Sequence, residues 1–231
     1  IACNVVAEAC LGYLRLGRSI PMLSGGRGFS GGYADMFMGG VIMDVHHCDV
    51  RSVYPSLMLT QQIGPESDTL GVFLEAWDTL RTFRVEAKGA MRACKDVSEK
   101  LGLDALQAAF KILINSFYGY LGFEQGRFND FEAADRVTSE GRKLLHSMID
   151  WLRGQGAEPI EIDTDGIYFV PPPFKGSAAE IGDQMTAFRE AFAKSLPEGI
   201  EIEFDGEYVS MYSYKMKNYA LLDAKGEMVI K

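Results

Sequence analysis

Pro159-Ile160-Glu161-Ile162-Asp163-Thr164-Asp165-Gly166-Ile167-Tyr168-Phe169-Val170 places a short acidic segment between two runs of strand-forming residues. The pattern predicts a β-hairpin with Asp163 and Asp165 at its tip. In extended backbone both acids point to the same side. A second acid-bearing segment, Asp49-Val50-Arg51-Ser52-Val53-Tyr54-Pro55-Ser56, follows a predicted strand over 41–48. It opens a short predicted helix over 52–59, with Pro55 tolerated in the first turn.

Around these two segments the predicted order is a helix over 3–16, a glycine-rich loop over 24–33, and then the first acid-bearing strand. Two long helices follow over 70–100 and 104–119, joined by Leu101-Gly102-Leu103 as an antiparallel hairpin. A helix over 132–154 precedes the acidic hairpin, and a helix over 183–196 precedes strands over 201–208 and 217–223. Met228 to Lys231 reads as a further strand or hairpin. This order predicts an α+β sheet domain with a helical excursion inserted between its parts.

Acids at a strand end and at a hairpin tip converge when their strands are neighbours, which gives hard oxygen ligands suited to magnesium. Two such ions would activate a 3′-hydroxyl and hold a departing pyrophosphate, the chemistry of nucleotidyl transfer. Simple turn chemistry is the competing reading, because aspartate hydrogen-bonds its own backbone in turns. Further along, Lys111, Asn115, Tyr118 and Gly122 recur at helical spacing along one face and the turn beyond it. On the preceding helix Arg81, Arg84, Lys88 and Arg92 form a stripe that reads either as a solvated face or as a grip on phosphate.

Composition sets outer bounds. The 231 residues are 47% hydrophobic and 24% charged, as expected of an ordinary globular chain of one or two domains. No apolar run approaches the roughly 20 residues needed to cross a bilayer, so no membrane partner is expected and a cytoplasmic, nucleoid-associated location is. Cys3, Cys10, Cys48 and Cys94 lack zinc-site spacing and read as reduced thiols. His46-His47-Cys48 alternates faces in a strand and cannot close on one ion. The net charge of −9 opposes a nucleic-acid partner unless the basic residues cluster. The first residue is Ile and the last lies in a strand pattern, so a fragment of a larger protein is expected.

Asp49 to Ser56 resembles the first polymerase motif of family B DNA polymerases, D-x-x-S-L-Y-P-S, and Asp163-Thr164-Asp165-Gly166 resembles the third motif in its archaeal form. Lys111-Ile112-Leu113-Ile114-Asn115-Ser116-Phe117-Tyr118-Gly119 resembles the second, K-x-x-x-N-S-x-Y-G. Phe29-Ser30-Gly31-Gly32 is similar to the Y-x-G-G element. Glu201 to Tyr208 is similar to the strand that follows the third motif, and Lys215-Met216-Lys217-Asn218-Tyr219 to K-K-x-Y. The matches run in family order from about residue 29 to 223.

The resemblance implies a polymerase palm with a mainly antiparallel sheet, divided as 1–69 and 121–231, and helical-hairpin fingers at 70–120. Thumb and exonuclease domains are absent from this stretch. It implies DNA-templated addition of dNTPs to a primer-template, with two Mg2+ ions, for which Mn2+ can substitute. Asp49, Asp165 and the Val50 carbonyl would bind metal, with Asp163 as a supporting acid. Arg84, Lys88, Lys111, Asn115, Ser52, Val53 and Tyr54 would hold the nucleotide, the Tyr54 ring excluding ribose. Gly31, Gly32, Tyr118, Gly119, Lys217 and Tyr219 would contact DNA.

Two departures stand out: Glu161-Ile162 replaces the usual Tyr-Gly before the third motif, and Leu106-Gln107 replaces the usual Arg-Gln. Two rivals compete with the polymerase reading. One is another palm enzyme such as a reverse transcriptase; the other is a weakly active or inactive polymerase-derived module that binds DNA or a partner.

Overall fold

Seven antiparallel-paired strands in the order β1-β3-β4-β2-β5-β6-β7 organise the sheet of this computed structural model, which describes residues 2–22 and 31–231. The elements are α1 (Ala2–Arg15), β1 (Ala34–Met36), β2 (Gly40–Val50), α2 (Val53–Thr60), α3 (Val72–Ala93), α4 (Val97–Leu121), α5 (Phe131–Gly154), β3 (Glu158–Asp163), β4 (Gly166–Val170), α6 (Ala178–Ser195), β5 (Ile202–Lys215), β6 (Asn218–Leu222) and β7 (Met228–Ile230). The fold is therefore a mixture of helices and antiparallel sheet. Phe29 and Ser30 of the glycine-rich element, and the rest of the loop predicted over 24–30, lie outside the described residues.

The chain divides into two compact units, one of residues 1–30 and 57–137, the other of residues 31–56 and 138–231. The second unit holds every described strand. Its sheet buries one face against α5 and α6, where the Trp151 ring stacks on Phe192 at 4.6 Å and Phe188 meets Phe169 at 6.1 Å. Phe204 completes this layer at 6.1 Å from Phe192. Phe169, Phe188 and Phe192 are buried here, and burying such rings is a large apolar contribution to the unit. α6 starts at a capping box, in which Ser177 accepts from the Glu180 amide while Glu180 accepts from Ser177.

On the opposite face β5 and β6 fold back over the sheet. Ile42, Val45, Ile160, Tyr168, Met211, Tyr219 and Leu221 form a second small core there. Three register shifts bend the strands into this shape, between Pro159 and Glu161, His47 and Cys48, and Ser213 and Lys215. Each adds one residue to one strand and increases local twist.

The first unit is helical. α3 and α4 pack through Phe83 on Phe110 at 6.0 Å and Phe73 on Phe117 at 4.9 Å. The connection between them lies at 94–96, and α4 runs unbroken through Leu101-Gly102-Leu103, which corrects the predicted turn there. Asp96 is the reason: its side chain accepts from the Glu99 amide and starts the helix at Val97, about two turns earlier than predicted. Tyr13 of α1 ties down the loop before α3, donating to Asp68 at 2.5 Å while its hydroxyl accepts from the Leu70 amide at 3.0 Å.

Candidate active site

The acids occupy one row of the sheet. Ala34, Asp163, Gly166, Asp49 and Glu203 are directly opposite one another across β1, β3, β4, β2 and β5. Directly opposed residues in antiparallel strands share a face. Asp163, Asp49 and Glu203 therefore project from the face that α5 and α6 leave uncovered. The Val50 amide donates to the Asp165 carbonyl at 2.9 Å, which fixes Asp165 beside the end of β2.

The turn itself is tight. The Asp165 amide donates to the Asp163 carbonyl at 2.8 Å, and Thr164 sits at φ 67°. A β-branched residue rarely adopts that conformation, and such strain concentrates where function demands a geometry. Ser52 at φ 48° and Lys217 at φ 62° are likewise left-handed and flank the same acids.

Electrostatics concentrate on Asp165. Burial pushes its carboxyl above the ordinary range, and the neighbouring Asp163 carboxylate pushes it further, while His47 and Lys217 pull it back. Asp163 has its own cation, the Lys217 ammonium at 2.9 Å. Tyr54 is half-buried, and its hydroxyl is held protonated first by burial and then by the Asp165 charge. A Cβ built on Gly32 would come within 2.6 Å of the Tyr54 hydroxyl and 3.0 Å of Thr164 Cγ2. Only glycine fits between that ring and the acidic turn.

Among the described residues no three His, Cys, Asp or Glu side chains form a ready-made metal cage. What the site offers is two carboxylates, Asp49 in the row and Asp165 in the turn beside the end of β2. Asp165 is destabilised as an anion by Asp163, and a divalent ion would relieve that repulsion. The donors are hard oxygens and fit magnesium.

Five residues of this unit were not assigned to the site from the sequence. His47 Nδ1 lies 2.6 Å from Asp205 Oδ1, and its ring lies on Tyr168 at 4.3 Å. Asp205 is the extra residue of the β5 bulge, which aims it at His47. Its neighbour His46 faces the other way, beside Arg189 at 3.2 Å and Phe169 at 5.9 Å, and burial lowers its pKa. Arg142 of α5 donates to the Gly31 carbonyl at 3.1 Å, holding the segment that carries Gly32. Glu161 is fully buried. The only local signals were two histidines beside Asp49 and an acid where the resemblance expects an aromatic ring.

Lys217 is exposed and reaches Thr164 Oγ1 at 3.3 Å as well as Asp163. Tyr219 is buried, 3% exposed, with its hydroxyl 3.2 Å from that of Tyr168. It packs the hairpin down and does not present its ring at the surface. Ser52 is half-buried and Val53 buried at the head of α2.

In the helical unit α4 buries Leu113, Ile114, Phe117 and Leu121. Lys111 and Asn115 are exposed and Tyr118 is half-buried on the remaining surface. On α3 Arg84 and Lys88 are half-buried around buried Ala87, whereas Arg81 is exposed and pairs with Asp78 at 3.9 Å. Because Phe83 meets Phe110, the adjoining Arg84 and Lys111 sit at the same level of the helix pair. Gly119 lines an apolar cavity with Phe73, Phe117, Tyr120 and Phe123.

Known proteins resemble this chain in sequence and in fold. The model of DNA polymerase family B matches residues 65–229. DNA polymerase 1 of Pyrococcus abyssi is 31% identical over 224 residues, an alignment spanning 88% of this chain and 29% of that protein. The DNA polymerase of Pyrococcus glycovorans is 32% identical over 225 residues, with the same shares of 88% and 29%. This chain thus spans under a third of the length of those relatives. The family B DNA polymerase of Pyrobaculum calidifontis shares the fold, with a TM-score of 0.65 at 23% identity over 94% of this chain and 31% of that one. With a family match running through the acidic hairpin and both basic helices, this chain belongs to DNA polymerase family B.

Proposed function

We propose that the chain catalyses DNA-templated addition of dNTPs to a primer 3′ end by two-metal nucleotidyl transfer. The strand unit serves as palm and the α3–α4 hairpin as fingers. The observation that carries this reading is the row Asp163-Gly166-Asp49 across three strands, with Asp165 at its turn raised in pKa by burial and by Asp163. Magnesium, when bound, supplies the Lewis acid that makes the primer hydroxyl a nucleophile and neutralises the departing pyrophosphate. Asp49, Asp165 and the Val50 carbonyl would hold it, and Mn2+ would bind the same oxygens.

The chain's own residues divide the remaining work. Lys217 keeps Asp163 neutralised and so preserves the supporting acid next to Asp165. Tyr54 places a rigid ring where a ribose 2′-hydroxyl would collide, and Gly32 leaves room for it. Arg84, Lys88 and Lys111 would balance triphosphate charge, with Asn115 fixing the nucleotide; alignment and charge stabilisation supply most of the rate. Primer-template DNA would be held by Gly31, Gly32, Tyr118, Gly119 and Lys217, with Tyr219 supporting Lys217 from within.

The test is primer extension on a DNA template with Mg2+ and with Mn2+. Asp49→Ala and Asp165→Ala should each lose at least about 1,000-fold in kcat while melting cooperatively, the scale expected when a charge-stabilising group is removed. Extension by either variant near the unmutated rate would end the proposal. The net charge of −9 favours a second reading, a polymerase-derived module that binds DNA or a partner without turnover. Absence of extension together with DNA binding would select it, and a preference for RNA templates would select a reverse transcriptase.

A further inference from the structure

Among the described residues Glu161 is the only fully buried carboxylate. An acid out of water is tolerated when its oxygens are engaged, and those of Glu161 both are. Oε1 accepts from the Lys217 amide, and Oε2 accepts from the Ser213 hydroxyl at 3.5 Å. The two partners lie 56 and 52 residues away, on the β5–β6 hairpin that folds over the sheet.

Lys217 needs this support. It sits in the Met216-Lys217 turn at φ 62°, a conformation that a non-glycine residue adopts at a cost. Its amide is fixed by Glu161 while its ammonium reaches Asp163 Oδ1 at 2.9 Å and Thr164 Oγ1 at 3.3 Å. Glu161 and Asp163 are two residues apart on β3, so they share a face and hold the two ends of one lysine. The hydroxyl pair of Tyr168 and Tyr219 closes the hairpin from the side.

We infer that Glu161 is a positioning residue: by clamping the Lys217 backbone it aims the Lys217 ammonium at the phosphate of the primer terminus. The inference rests on the proposed role of Lys217 toward the primer. Without DNA the ammonium is held at Asp163. A primer phosphate arriving beside the acidic row finds a cation already placed, so less ordering is required on binding. A purely structural role for Glu161 would affect folding without separating primer affinity from nucleotide affinity.

Glu161→Met fills the buried space without an acceptor, and Glu161→Gln keeps an acceptor for the Lys217 amide. In hydrogen-exchange mass spectrometry of the full chain, Glu161→Met should speed exchange over 215–219 about tenfold, with Glu161→Gln within about twofold of the unmutated chain. In steady-state primer extension Glu161→Met should raise KM for primer-template about tenfold and leave kcat and the dNTP KM within about twofold. Glu161→Gln should restore primer KM, and Glu161→Met/Lys217→Ala should be no worse than Lys217→Ala alone.

Unchanged exchange over 215–219 in Glu161→Met would overturn the clamp. Unchanged primer KM, equal loss toward primer and dNTP, or additivity with Lys217→Ala would overturn the positioning role. Failure of the unmutated chain to extend any primer would refute the polymerase reading and the primer role with it, while the exchange experiment would still decide the clamp.

Discussion

Asp165 is held against its own charge. Burial and Asp163 raise its folded-state pKa above the ordinary carboxylate range, so the folded chain retains a proton that the unfolded chain has released. The resulting stabilisation is present below the ordinary pKa and is lost as pH rises through the raised value. At neutral pH an ionised Asp165 is therefore a liability to folding, accepted for the site. Asp165→Asn should stabilise the metal-free chain by about 1 kcal/mol at pH 7, with the gain vanishing below about pH 4, while abolishing extension. Urea melts at the two pH values check the sign, and an unchanged or lower stability at pH 7 would contradict it. Gly32 makes a complementary prediction. A methyl there meets the Tyr54 hydroxyl and Thr164, so Gly32→Ala should cost about 1–3 kcal/mol. It should also lower discrimination against ribonucleotides, read as the ratio of kcat/KM for dNTP and rNTP. Removing the clashing hydroxyl in Gly32→Ala/Tyr54→Phe should recover part of both. Asp49, Tyr54 and the acidic turn stand out in the sequence because each lies in a short contiguous motif. The partners of Glu161, Asp205 and Arg142 do not stand out, because they lie 52 to 158 residues away.

Helices α3 and α4 form the antiparallel pair that the sequence predicts, but the chain turns at 94–96 and not at 101–103. Their apolar spacing announced an antiparallel pair, and Phe83 on Phe110 realises it. Gly102 looked like a break, yet a lone glycine inside a helical pattern is a tolerated cost, and the start signal was Asp96 with Glu99 three residues on. In the structure Gly102 lies within α4, exposed, with nothing within 4 Å of a built Cβ. Opposite substitutions test this boundary: Gly102→Ala should stabilise by about 1 kcal/mol and Asp96→Ala should destabilise by about 1 kcal/mol. Thermal melts that show Gly102→Ala neutral or harmful would place the turn back at 101–103. The strands failed differently. β1 has only three residues, too few for alternation to register, whereas β5 extends to Lys215, seven residues beyond Tyr208. That extension carries Lys217 back to the acids, and its bends come from bulges whose positions no single-strand pattern encodes.

At the scale of the whole molecule, the proposed function asks an acidic chain with a net charge of −9 to bind a polyanion. The cations assigned to the triphosphate, Arg84, Lys88 and Lys111, lie on α3 and α4. In the strand unit Arg51 is paired with Glu201 and Glu203, both at 3.1 Å, and Arg189 with Glu207 at 2.5 Å. Lys143 is paired with Glu140 at 2.7 Å. Lys217 also has an acid partner, but that acid belongs to the row where metal would bind, so a primer phosphate and a cation can exchange places with it. These pairings leave fewer of the named cations for phosphate, and each phosphate neutralised contributes about −0.9 to the slope of log K against log salt on duplex DNA. Binding of primer-template without dNTP should therefore show a shallow slope of about −1 to −2 by fluorescence anisotropy across a NaCl series at fixed magnesium. Lys217→Ala should reduce its magnitude by about 1. Magnesium should strengthen binding beyond its effect as a screening ion, because it would convert the Asp49 and Asp165 row from repulsive to attractive, and Asp165→Asn should remove that increment. A slope of about −5 or steeper, unaffected by Lys217→Ala, would mean that DNA is held by cations other than those placed at the acidic row.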